Sequence, residues 1–176
     1  MILGMSTATY TFLHVLISLI GIGSGLVVMF GFITGKRLDT LTAIFLTTTV
    51  LTSVTGFGFP FDHLLPSHKL GIISLVVLVV AIPARYVFHL AGSWRWIYVV
   101  GASMALYLNV FVLIAQLFMK VPALKALAPT QSEPPFLVAQ LLVLLIIRRT
   151  YDSGGEAVPP PTGASLARAV GNKIHN

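Results

Sequence analysis

The chain contains no cysteine, which excludes disulfides, iron–sulfur clusters, thiolate zinc sites and CxxCH haem attachment. Charge is almost as scarce. Only 9% of the 176 residues are charged, eleven of them basic and five acidic. Soluble globular domains carry roughly a quarter charged residues because their surfaces face water. A soluble enzyme of ordinary composition and a disordered chain are both excluded. The pI near 10.0 would suggest nucleic acid if the basic residues formed a patch, but they are few and scattered, so no nucleic-acid partner is expected.

Known chemical motifs are absent too. Gly21-Ile22-Gly23-Ser24-Gly25 begins like a dinucleotide loop, yet the third required glycine falls on Leu26. Gly31 to Lys36 is one residue too short for a phosphate loop and continues into Arg37. No nucleophile elbow, zincin helix or pair of catalytic carboxylates occurs. Asp39, Asp62 and Glu133 fall in expected loops, which weighs against a proton-coupled transporter with an acidic group in its spans. No Lys or Arg precedes Lys36, so the basic start of a cleavable signal peptide is missing and the first apolar run is expected to be retained.

Hydrophobic residues make up 56% of the chain, with a mean hydropathy of +0.94. About 20 predominantly apolar residues are needed to cross roughly 30 Å of hydrocarbon as a helix. Four stretches meet that requirement, near residues 11–34, 41–59, 68–91 and 96–119. Asp39 and Ser67 are placed to cap the second and third. A fifth, 134–150, holds only 12 uninterrupted apolar residues, Phe136 to Ile147, closed by Arg148-Arg149. It is either a thin span or a re-entrant half-helix. The expected fold is therefore an all-α, polytopic transmembrane bundle of five helices, or four plus a half-helix, over residues 1–151. Residues 152–176, rich in Gly, Pro, Ser and Ala, form an expected flexible tail.

Placing the N-terminus outside puts Lys36, Arg37, Arg85, Arg95, Arg148, Arg149, Arg168 and Lys173 inside, and only Lys69, Lys120 and Lys125 outside. That bias orients the chain with its N-terminus on the outer side of the membrane and its C-terminus on the cytoplasmic side. Arg85 is expected to reach inner headgroups, and Trp94, Trp96 and Tyr98 to form an interfacial aromatic belt.

Two stripes recur at helical spacing. Thr11, His14, Ser18, Gly21 and Gly25 share one face of the first span, and Gly101, Ala105, Asn109, Val112 and Gln116 share one face of the fourth. Small and polar faces are where helices meet in lipid, so helix packing through Ser18, Gly21, Gly25, Gly101, Ala105, Asn109 and Gln116 is the plain reading. The sharper reading makes Asn109 and Gln116 steps along a solute path. His14, His63, His68 and Asp62 fall at one membrane level, where imidazoles could hold a transition metal or haem with a carboxylate beside them.

The segment Phe59-Pro60-Phe61-Asp62-His63-Leu64-Leu65-Pro66-Ser67-His68 running into Gly71-Ile72-Ile73-Ser74, with Lys120-Val121-Pro122-Ala123-Leu124-Lys125 running to Pro134-Pro135-Phe136, resembles an uncharacterised family of small polytopic membrane proteins of proteobacteria. The resemblance covers roughly residues 6–140 and ends near Leu145. It implies an inner-membrane protein and brings no activity. Three function classes follow. The first is an accessory, scaffold or assembly subunit, suggested by packing stripes, short loops and no buried charge. It implies the bilayer plus a membrane-protein partner or second copy on a small-residue face. The second is a metal- or haem-binding redox or sensor protein, and the third is small-solute transport or permeation.

Overall fold

Ser6 starts the first helix by accepting the Thr9 N–H at its side-chain oxygen, 3.1 Å away. The helix, α1, runs Thr7–Ile33 and is followed by α2 (Asp39–Gly56), α3 (Pro66–Tyr86), α4 (Trp94–Lys120), the short α5 (Pro122–Leu127) and α6 (Pro134–Ala157). The computed structural model describes residues 2, 4–59 and 66–157, with Pro66 and 150–157 as backbone. Among these every named element is helical. The five longer helices pack in ring order: α1 on α2, α2 on α3, α3 on α4, α4 on α6, and α6 back on α1. Across the ring α4 also touches α1 and α2.

Three helices, Thr7–Ile33, Ser67–Tyr86 and Trp94–Lys120, are long and apolar enough to cross a membrane. Their outward faces carry large apolar side chains such as Phe12, Leu26, Phe30, Val76, Val79 and Val100. A surface of that kind suits acyl chains and not water. On α6, Phe136, Gln140 and Ile147 turn inward at helical spacing while Leu137, Leu141, Leu142 and Leu145 remain exposed.

Several boundaries differ from expectation for identifiable reasons. Asp39 does not cap α2. Leu38 holds the cap position without a side-chain bond, and the Asp39 carboxylate instead meets Arg85 and, at 3.3 Å, Arg37. Ser67 does not cap α3, because Pro66 already occupies the first helical position, where its missing N–H costs nothing. The same helix ends at Tyr86 and not at residue 91. There the chain reverses through His89 and Leu90, both at positive φ (48° and 59°). This turn lets Leu90 bury itself in the core and Phe88 stack on Trp94, ring centroids 3.8 Å apart. At the other end of the chain α6 continues to Ala157, past residue 150.

Arg85 is not among headgroups either. It is buried, its side chain 6% exposed, paired with Asp39 and lying 5.2 Å from the centroid of the Tyr98 ring. Tyr98 is fully buried below it and belongs to no interfacial belt. The bundle thus contains a buried charge, contrary to one premise of the accessory-subunit expectation.

Candidate functional site

The two stripes read from the sequence both turn into the ring, and each changes character along its length. In the half of the bundle nearer Asp39 the stripes are packed hard. A Cβ built on Gly25 would fall 2.8 Å from both Leu106 Cδ1 and Phe45 Cδ2, and one on Gly21 would fall 2.9 Å from Thr48 Oγ1. On α4 a Cβ on Gly101 would sit 2.8 Å from Ala81 Cβ of the neighbouring α3. Around these contacts Val28, Phe32, Phe45, Leu78, Tyr98 and Leu106 form a continuous apolar core.

In the opposite half the same faces line a cavity of about 560 Å³. From α1 it takes Thr11, His14, Ser18 and Ile22, and from α4 Leu108, Asn109, Val112, Gln116 and Lys120. The end of α2 adds Thr52, Ser53 and Phe57, and the start of α3 adds His68, Gly71 and Ser74. The apolar core closes its floor, and Thr11, Ser67 and Lys120 stand at its far end. The volume lies within the roughly 300–1,000 Å³ common for small-molecule sites, and a mostly apolar wall with a few polar groups is their usual chemistry.

The polar groups are fixed by short bonds. His14 Nδ1 lies 2.8 Å from Thr55 Oγ1, and the His14 ring meets Phe59 edge to face at 5.2 Å. Tyr10, one turn earlier, donates its hydroxyl to the Thr55 carbonyl at 2.7 Å, satisfying an acceptor near the end of α2. His68 is buried and stacks on Phe57 at 5.5 Å. Asn109 Nδ2 donates to Thr49 Oγ1 at 3.3 Å, and Ser53 donates to the Thr49 carbonyl at 2.9 Å with its Oγ 3.2 Å from Ser74 Oγ. Thr52 Oγ1 is buried without a hydrogen-bond partner among the described residues.

The sequence-derived candidates therefore separate. His14, Ser18, His68, Asn109 and Gln116 meet at one cavity, while Gly21, Gly25, Gly101 and Ala105 sit in the packed half. Asp62 and His63 lie outside the described residues. Among the described residues no three of His, Asp and Glu gather into a group that could hold a metal ion. Sequence reasoning did not single out Thr52, Ser74 or Phe57 as site residues. Ser74 and Phe57 carry no distinguishing spacing, and Thr52 is one of eight hydroxyl residues on α2 with no mark separating it from the rest. Comparison with protein-family models, curated proteins and solved structures finds no match to this chain.

Proposed function

We propose that this chain is a multi-pass membrane protein that binds a small, mainly apolar molecule inside its bundle. The observation that carries the reading is the cavity of about 560 Å³ on which the polar halves of both stripes converge. Buried amides and imidazoles in lipid are costly unless they have partners, so grouping His14, Asn109 and Gln116 around an open volume favours a ligand-handling role. Of the three classes, solute handling gains from this arrangement. The accessory-subunit class loses a motive, since the faces of Gly21, Gly25 and Gly101 are occupied by helices of the same chain. His14 and His68 lining one cavity keep histidine-held metal or haem as the second reading.

Geometry also supports a membrane crossing by α2. Asp39 at its start meets Arg85 at the end of α3, and Thr55 near its end meets Tyr10 at the start of α1. It covers the same height as its neighbours, and its 18 residues rise about 27 Å at 1.5 Å each. Its hydropathy is low because of hydroxyls, but Thr48, Ser53 and Thr55 turn theirs back to carbonyls four residues earlier. On this reading α1, α2, α3, α4 and α6 form the five-helix bundle of an inner-membrane protein with its N-terminus outside.

The test is to purify the chain in mild detergent and analyse extracted small molecules by mass spectrometry, beside a Val112→Phe variant that fills the cavity. A compound retained by the parent and lost from a folded variant is expected. Equal retention by both, or no retained compound, would sink the reading. Haem bands or stoichiometric metal in the parent would replace it with the histidine-ligand class.

A further inference from the structure

The hydrogen positions around the cavity indicate what its occupant must offer. Thr55 has one hydroxyl hydrogen, and it goes to the Leu51 carbonyl, 2.7 Å away. Thr55 Oγ1 is therefore the acceptor in its 2.8 Å contact with His14, and His14 Nδ1 carries the hydrogen. A neutral imidazole protonated at Nδ1 presents Nε2 as a lone-pair acceptor.

The other lining groups lean the same way. Ser18 gives its hydrogen to the His14 carbonyl at 2.7 Å, and Ser53 gives its own to the Thr49 carbonyl at 2.9 Å. Asn109 has an amide hydrogen on Thr49, which leaves its carbonyl oxygen as the end without a described partner. Around His14 the hydroxyl hydrogens of Ser18, Ser53 and Thr55 are engaged by carbonyls of their own helices, while Thr52, Gln116 and Lys120 keep hydrogens that an oxygen of the occupant can accept. Among the described residues the wall includes no Asp or Glu, and the permanent charge there, Lys120, is a cation at the rim.

An occupant that only accepts would leave His14 Nε2 and Asn109 Oδ1 unmatched. A cation would have to pass Lys120, and among the described residues no carboxylate lines the cavity to receive it. A carboxylate has no hydrogen to donate. Resting on the ligand-binding reading above, we propose that the cavity takes an uncharged, mainly apolar molecule carrying a hydroxyl, an alcohol or phenol, which donates to His14 Nε2. The Gln116 amide, on the same face two turns from Asn109, can donate to that hydroxyl oxygen, and the remaining surface accepts the apolar body.

Three probes of matched size distinguish the possibilities on the full-length protein in detergent: 4-butylphenol, its methyl ether 4-butylanisole, and 4-butylbenzoate. Binding is followed by thermal shift and by the ¹⁵N resonance of His14, assigned by its loss in His14→Phe. The phenol should bind at least tenfold more tightly than the ether and shift the Nε2 resonance, and the ether should not shift it. His14→Phe should abolish the difference between the two. If phenol and ether bind equally and Val112→Phe blocks both, the cavity reading stands and the hydroxyl proposal falls. Tightest binding by the benzoate would also overturn it, pointing to Lys120 as the recognition group. Failure of all three probes to bind would overturn both. The comparison of phenol with ether by thermal shift uses the parent protein alone, so the test survives a variant that does not fold.

Discussion

Three glycines in one bundle behave differently for reasons visible at single atoms. Gly101 faces Ala81, whose Cβ has no rotamer and cannot swing aside, so an added methyl must move a backbone. Gly25 faces Leu106 and Phe45, both fully buried. Gly23 meets nothing within 4 Å and looks outward. Gly101→Ala should therefore destabilise the protein by about 1–3 kcal/mol, the usual cost of overpacking, and Gly25→Ala by a similar amount. Gly23→Ala should be neutral or gain up to ~1 kcal/mol from helix propensity. The decisive measurement is detergent-state unfolding of the three variants together with the double variant Gly101→Ala/Ala81→Gly. Restored space should return part of the lost stability. Equal tolerance at Gly23 and Gly101 would mean that α3 and α4 do not approach as closely as described.

Between elements, one contact ties α2 to α3. Asp39, 65% exposed, lies in the first turn of α2, where the helix dipole favours an anion, and it neutralises the buried Arg85. Removing it leaves a cation in a nearly dry site beside the Tyr86 and Tyr98 rings. Asp39→Asn should cost about 1–3 kcal/mol, the range for a hydrogen bond to a charged group, reduced because the carboxylate side meets solvent. Arg85→Met together with Asp39→Asn should recover most of that loss, because an apolar pair has nothing left to neutralise. A double variant no better than the single one would show that Arg85 matters for contacts other than Asp39. This pair also marks how far sequence reading reaches. Long apolar runs broken by Gly-Lys-Arg or Gly-Ser are enough to place α1, α3 and α4 to within a few residues, because hydrocarbon thickness imposes their length. Arg85 at the end of such a run looks the same whether it turns to headgroups or to the core. The choice is made by a carboxylate 46 residues away, which no local pattern reveals. Likewise a 3.6-residue period places His14 with Ser18 and Asn109 with Gln116. That both pairs reach one cavity depends on the ring order of the helices, and the turn through His89 and Leu90 depends on where Leu90 can be buried.

For the whole molecule, the number of crossings is the property on which every placement of the cavity depends, and the absence of cysteine makes it directly measurable. Single cysteines at Lys36, Arg95, Lys125 and Arg149 can be labelled with a membrane-impermeant maleimide in intact cells and in inverted vesicles. If α1, α2 and α3 all cross, Lys36 and Arg95 lie on one side, as the contact of Asp39 with Arg85 requires. If α2 only dips into the bilayer and returns, α3 carries the chain to the other side and the two cysteines label from opposite faces. A second comparison decides α6. Its apolar stretch Phe136 to Ile147 rises only about 18 Å at 1.5 Å per residue, so a crossing needs Arg148 and Arg149 to extend along it towards headgroups. In that case Arg149→Cys labels with Lys36→Cys; a half-helix places it with Lys125→Cys. The expected pattern is Lys36, Arg95 and Arg149 on the cytoplasmic side and Lys125 alone on the other, which puts the rim of the cavity, marked by Thr11 and Lys120, at the outer face. Opposite labelling of Lys36 and Arg95 would remove α2 from the set of crossings. The cavity would then not be an outward-facing site, because two of its walls would belong to helices of different membrane depth.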